Sequence, residues 1–276
     1  MKELLFGTAG IPHGAKGLGT VEGIKEVKKL GLGAMELEFV QNVNISEKVA
    51  PEVKKTAKDE EIILTCHGQY YVNLASLEKA KLEASKKRLW LAAKTATDCG
   101  CWSVLWHMAF YQAQPKEKVF EQVKSAVKEL VKKLKDAGSN IWVRAETTGK
   151  ASQWGDLQEC IRLAQAVEQV LPCIDFSHLH ARSNGKENTF EEFKNTLAML
   201  EKGLGKEALQ NMHCHLSGIN YTDKGERNHL DLPDSDMNYK ELLNALKEFK
   251  ARGVIISESP NIEGDALLMQ KVWQKL

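Results

Sequence analysis

Short apolar runs alternate with longer amphipathic stretches eight times along the chain. The runs are Leu4–Thr8, Ala34–Phe39, Ile62–His67, Ser103–His107, Ile141–Glu146, Cys173–Phe176, Met212–Leu216 and Val254–Ser257. Each is too short for a helix and reads as a strand buried on both faces, as parallel strands are. Between them, apolar residues recur at helical spacing: Val119, Phe120, Val123, Val127, Leu130, Val131 and Leu134; Leu157, Ile161, Ala164 and Val167; Leu242, Leu243, Leu246 and Phe249. Lys and Glu fill the positions between, so each stretch predicts a helix with one face on the core. Gly31, Gly100, Gly138 and Gly253 each separate a helical stretch from the next strand, where a left-handed residue ends a helix.

Eight strand–helix units without a break in composition predict a closed (β/α)8 barrel, with residues 1–276 forming one domain. A doubly wound open sheet is the alternative. Its ligand would sit on a Gly-rich first turn, and Gly7-Thr8-Ala9-Gly10 does not supply the required G-x-G-x-x-G.

Composition changes this picture little. The chain is 43% hydrophobic, ample for a large core, and its 38 basic side chains nearly balance its 37 acidic ones. Bulk charge therefore gives no argument for nucleic-acid binding, and none against a local basic patch. Met1-Lys2-Glu3-Leu4 runs straight into the first strand without a leader pattern, and no apolar run approaches about 18 residues. A soluble, cytoplasmic protein with no membrane contact is expected. The six cysteines, Cys66, Cys99, Cys101, Cys160, Cys173 and Cys214, form no Cys-x-x-Cys pair. That argues against a thiolate zinc site and for a reducing compartment, and Cys66, Cys173 and Cys214, inside predicted strands, read as small apolar packing.

The histidines are more informative. His13, His67, His107, His178, His180, His213, His215 and His229 avoid the predicted helices and fall at strand ends or just beyond. In a barrel, those positions form the one face where chemistry is found. Carboxylates join them: Glu146 closes strand 5, Asp175 strand 6 and Glu258 strand 8. Three acids crowded among imidazoles repel one another unless cations sit between them, which predicts a metal centre at the C-terminal ends of the strands. An Arg144–Glu146 ion pair is the bland alternative on strand 5. His213 shares a face with His215, one layer deeper, and His180 and His13 read as structural.

These residues resemble endonuclease IV, the metal-dependent abasic-site endonuclease family of base-excision repair, within the wider xylose-isomerase-like barrels. The resemblance spans nearly the whole chain. It rests on Cys66-His67-Gly68-Gln69-Tyr70-Tyr71-Val72-Asn73-Leu74, Trp106-His107, Ala145-Glu146-Thr147-Thr148-Gly149 and Ile174-Asp175-Phe176-Ser177-His178. It continues through His213-Cys214-His215-Leu216, Arg227-Asn228-His229 and Ser257-Glu258-Ser259-Pro260. It implies two to three Zn2+ ions, with Mn2+ as an alternative. His67 and His107 would hold the first; Asp175, His215 and Glu258 the second; Glu146 would bridge them; His178 and His229 would help hold a third. Glu146 and Glu258 would be catalytic, and Tyr70 and Tyr71 would contact DNA carrying an abasic site. The implied activity is phosphodiester hydrolysis by a monomer. There, paired cations neutralise phosphate oxygens and polarise water, so no side-chain nucleophile is needed.

Two departures stand out. The family writes Asp-Arg-His where this chain has Arg227-Asn228-His229, so the third site lacks its expected carboxylate unless Asp223, Glu226 or Asp231 supplies one. The family's His-Pro-Gly after strand 4 is His107-Met108-Ala109 here. Two other readings remain. A sugar isomerase or epimerase of the same superfamily would use one metal held by Glu146, Asp175, His215 and Glu258, with the glutamates moving protons. A non-catalytic metal-binding barrel would keep the ligands without turnover. His67, His107, His178 and His229 favour the endonuclease-like reading, because a one-metal enzyme does not need them.

Overall fold

The computed structural model describes residues 1–276. Its core is a closed parallel barrel of eight strands in the order β1–β8–β7–β6–β5–β4–β3–β2. The strands are β1 (Leu4–Ala9), β2 (Ala34–Glu38), β3 (Ile63–His67), β4 (Ser103–Trp106), β5 (Trp142–Glu146), β6 (Val170–Asp175), β7 (Met212–Leu216) and β8 (Gly253–Ser257). Closure is made by β1 against β8, from Leu4 opposite Gly253 to Thr8 opposite Ser257.

Helices α1 (Thr20–Lys29), α2 (Ala50–Asp59), α3 (Lys79–Asp98), α4 (Lys116–Asp136) and α5 (Leu157–Ala166) follow the first five strands. Then come α6 (Phe176–Arg182), α7 (Phe190–Leu204), α8 (Lys206–Leu209), α9 (Tyr239–Glu248) and α10 (Glu263–Trp273). In α4 the predicted stripe from Val119 to Leu134 is buried, and the lysines face outward. Asp156 and Glu159 close α5 with a reciprocal capping box, as Thr189 and Glu192 do for α7. The main apolar core lies between strands and helices, whereas the barrel interior carries polar side chains: Glu36, Ser103, Arg144 and His213 are all buried.

Three expectations are corrected. Histidines do occur on a helix: His178 and His180 lie in α6. The apolar run Cys173–Phe176 hides a boundary. Asp175 accepts the His178 backbone N–H at 2.7 Å, ends β6 and caps α6, so Phe176 opens a helix instead of extending a strand. Gly31, Gly100 and Gly138 do take left-handed conformations after their helices, but Gly253 does not end α9. Lys250 carries that positive φ of 53°, and Gly253 opens β8 at φ 133°, where a Cβ would stand 1.9 Å from the Met212 carbonyl oxygen. The segment after β7 is also more than a loop. Gly218–Thr222 and Gly225–Leu230 form an antiparallel hairpin that the sequence pattern did not reveal.

All six cysteines are buried and unpaired, including Cys66, Cys173 and Cys214, expected to pack within strands. No helix is long and apolar enough to cross a membrane.

Candidate metal centre

Inward-facing residues at the C-terminal ends of the strands meet in one cluster. Glu146, the last residue of β5, divides its two oxygens. Oε2 lies 2.9 Å from His107 Nε2 and 3.3 Å from His67 Nε2. Oε1 lies 3.1 Å from His215 Nδ1 and 3.5 Å from His178 Nδ1. A carboxylate with histidines on both oxygens has the arrangement of a bridging ligand.

Three groups of donor atoms fall within 4.8 Å of one another around this carboxylate: His67, His107 and Glu146; Glu146, Asp175, His215 and Glu258; and Asp175, His178 and His229. The eight residues expected as ligands from the sequence are thus brought together. The Arg144 alternative fails. Its guanidinium donates to the Pro172 carbonyl and to Asn211, and it stacks on Trp102 at 4.6 Å, so Glu146 has no cationic side chain other than histidine paired with it. His180 meets the Lys186 carbonyl and Asp236, and His13 is exposed beside Glu263; neither enters the cluster.

The donor set fits divalent cations. Glu146 Oε2, Asp175 Oδ2, Glu258 Oε2 and His107 Nε2 are buried without a hydrogen-bond partner, and such groups are costly unless something positive meets them. Asp175 illustrates the division of labour: Oδ1 caps α6, while Oδ2 is the oxygen left free. Main-chain carbonyls aim three of the rings. The Nδ1–H of His67, His178 and His229 donates to the carbonyls of Gly68, Thr147 and Glu258, which leaves each Nε2 as the atom free to face a cation once deprotonated.

Titration tells the same story of unbalanced charge. Burial alone would raise the Glu146 carboxyl, but His107 and His215 hold it well below the ordinary range. Burial likewise opposes ionised Glu258, yet His215 brings it down to about 2. Asp175 goes the other way: burial, with Glu258 and Glu146 beside it, pushes it well above the usual carboxylate range. Glu38, at the end of β2, is pushed up to about 8 by burial and by Glu36.

A further carboxylate, Glu226, stands beside the third group. In the hairpin, Asn220 pairs with Asn228 and Tyr221 with Glu226, so Arg227 is an extra, bulged residue. The bulge puts Glu226 on the same side as His229, with Oε2 3.5 Å from His178 Nε2, while Arg227 is exposed. Gly149 makes room: a Cβ there would stand 2.7 Å from Glu226 Oε2. Asp231 instead accepts the Asn261 N–H, and Asp223 is exposed at the hairpin turn.

The opening above the cluster is a cavity of about 240 Å³, rimmed by Tyr70, Phe110, Lys150 and Gln153. That is below the ~300–1,000 Å³ of drug-sized ligand sites, so it suits a small polar ligand or the reacting part of a larger one. A larger hollow of about 520 Å³ between α3 and α4 holds no histidine and no cluster of acids. Tyr70 is 52% exposed and edge-on to His67, with ring centroids 5.3 Å apart. Tyr71, 68% exposed, stands outside the cavity, so neither ring caps the core.

Sequence reasoning missed Glu36 and Glu38. Their signal was present: Ala34-Met35-Glu36-Leu37-Glu38 alternates within a strand otherwise read as wholly buried, which sends both acids to one face.

A family model described as a xylose isomerase-like TIM barrel matches residues 24–275. The uncharacterized protein MJ0133 of Methanocaldococcus jannaschii is 42% identical over 273 residues, covering 99% of this chain and 98% of that protein. Endonuclease IV from Thermus thermophilus superposes with a TM-score of 0.73 at 18% identity, covering 100% of this chain and 99% of that one. A D-tagatose 3-epimerase-like protein superposes equally well, at 0.73 and 19% identity, over 98% and 96% of the two chains. At these identities the structural likeness shows the fold alone.

Proposed function

The chain belongs to the xylose isomerase-like TIM-barrel family, and from that premise we propose that it is a metal-dependent phosphodiester hydrolase resembling endonuclease IV, acting on DNA at abasic sites. One observation carries this reading. Glu146 joins a His67–His107 group to the Asp175–His215–Glu258 group, and a third group with His178 and His229 adjoins them through Asp175. Chemistry at one cation needs only the middle group.

Cations bound there would supply positive charge to phosphate oxygens and acidify water. The side chains would do the rest. Glu146 would hold two cations at a fixed spacing through its separate oxygens. Glu258, whose Oε2 is buried, unpartnered and 3.3 Å from His215 Nδ1, is placed to orient or deprotonate water. Lys150 on the rim offers a positive charge to a phosphate. Tyr70 offers a ring at the entrance.

The second reading is a single-cation sugar isomerase or epimerase. It is favoured by the completeness of the Glu146–Asp175–His215–Glu258 group on its own, and by the epimerase-like neighbour. Metal counting on natively purified protein separates the two, paired with incubation on duplex DNA carrying one abasic site. Two to three zinc-class ions per chain and a nick at the lesion are expected. One ion per chain, an intact duplex and turnover of a ketose would overturn the hydrolase.

A further inference from the structure

His215 is oriented unlike the other rings of the centre. His67, His178 and His229 turn Nδ1–H to main-chain carbonyls and Nε2 to the pocket. His215 does the reverse. Its Nδ1 faces the pocket, 3.1 Å from Glu146 Oε1, and its Nε2 is turned to a different partner. It sits within β7, with Asp175 of β6 on one side and Ile256 of β8 on the other, so the main chain around it is engaged in the sheet. A side chain must meet Nε2 instead.

That side chain is Glu36. It comes from β2, separated from β7 by β1 and β8, and it is fully buried. Oε1 is 2.8 Å from His215 Nε2, and Oε2 is 3.1 Å from His213 Nε2. Beyond these contacts, neither the two oxygens nor the two nitrogens have a hydrogen-bond partner. His213 Nδ1 meets the Ser103 hydroxyl at 2.9 Å. Ser103 O–H donates to His213 Nδ1 when that ring carries its proton on Nε2, and the Nε2 of both rings lies at ion-pair distance from the Glu36 carboxylate. A buried carboxylate between two N–H groups is compensated; one without them is not.

We infer that Glu36 is the positioning residue of the metal centre: it holds His215 as the Nε2–H tautomer, so that the Nδ1 lone pair faces Glu146 and Glu258. A carboxylate behind a ligating imidazole fixes the ring and raises its basicity. Ser103 and His213 hold Glu36 in turn, and three strands converge on one ligand. The inference rests on the cation reading of the centre.

Zinc titration by chelator competition tests it, on wild type and E36Q. Glutamine keeps the shape of the side chain but offers an NH2 group to one of the two rings, which disturbs the pairing. Wild type is expected to bind two to three ions. E36Q should bind one of them about 10–100-fold more weakly and the rest unchanged. Should E36Q not fold, histidine 15N spectra of zinc-loaded wild type decide. The expected pattern is His215 protonated at Nε2 and metallated at Nδ1. Affinities within twofold in a folded E36Q, or a His215 metallated at Nε2, overturn the role of Glu36 alone. A wild type that binds no zinc overturns the metal reading and this inference with it.

Discussion

Glu146 sets its Oε2 2.9 Å from His107 Nε2, with no cationic side chain other than histidine near it. Its other oxygen faces His215 at 3.1 Å. Glu146→Gln should therefore strike both neighbouring groups at once, because an amide NH2 replaces one oxygen and cannot ligate. We expect at least one zinc fewer per chain, and abasic-site cleavage lower by more than ~100-fold, above the range for lost outer-sphere support. The far-UV circular dichroism spectrum should be unchanged. A variant that retains activity within a few-fold would show that Glu146 is not the bridge.

Glu226 and His229 define a weaker corner. Their hairpin is half-buried except at its turn and at Arg227 and Asn228, and Glu226 reaches His178 only through the bulge at Arg227. His229→Ala or Glu226→Gln should lower zinc content toward two per chain and reduce cleavage without erasing it. Gly149→Ala should do the same from a distance, since its methyl group would crowd Glu226. Loss as complete as for Glu146→Gln would show that the third group is indispensable. Three zinc ions retained in Glu226→Gln would remove Glu226 from the ligand set.

Much of this centre was legible in the sequence because strand ends are marked by where apolar runs stop. A His or carboxylate at that point, when its strand parity turns it inward, faces the barrel mouth. Glu226 was legible only as one of three candidates. A one-residue bulge reverses which side of a strand a residue faces, and nothing in Gly225-Glu226-Arg227 announces it. The helix at His178 was hidden for a related reason: Phe176 continues the apolar run, while the cap that ends it is the same Asp175 that serves the site. Glu36 went unread because its partners lie on other strands, at positions that only the closed barrel brings within reach.

Protons compete with cations at this centre. Burial alone would lower His67, but its pairing with Glu146 carries it up to about 10. His215 is likewise held well above its ordinary value against burial, by Cys173 first and then by Glu258, Glu36 and Glu146. Both rings are thus biased toward the protonated form in the metal-free protein, and a cation must compete with those protons. Zinc affinity should rise with pH from 6 toward about 10 and flatten beyond the His67 value. Calorimetric titration in buffers of different ionisation enthalpy should register proton release at pH 7. Affinity independent of pH over that span would mean that the rings are already neutral.

Tyr70 provides the sharpest separation between the two functional readings. Its ring is half exposed, lies edge-on to His67 and rims the cavity, yet none of the candidate ligand groups includes it. A ring in that position contributes little to folding, because half of its surface stays in water. It does offer an aromatic surface to a substrate larger than the cavity. A lesion in duplex DNA is such a substrate: the damaged nucleotide must leave the stack, and an aromatic side chain at the gap offsets part of the unstacking cost of a few kcal/mol. The near-neutral net charge of +1 gives that local contact more weight, since general attraction to phosphate is weak. Tyr70→Ala should leave zinc content and melting temperature nearly unchanged. With stacking worth ~1–3 kcal/mol per base, it should weaken binding to abasic duplex by roughly five- to a hundredfold. Tyr71→Ala, outside the cavity, should have the smaller effect. Fluorescence anisotropy on intact and abasic duplexes measures both variants. If wild type binds the two duplexes equally, or Tyr70→Ala binds the lesion as wild type does, the aromatic contact is absent and the single-cation sugar reading gains.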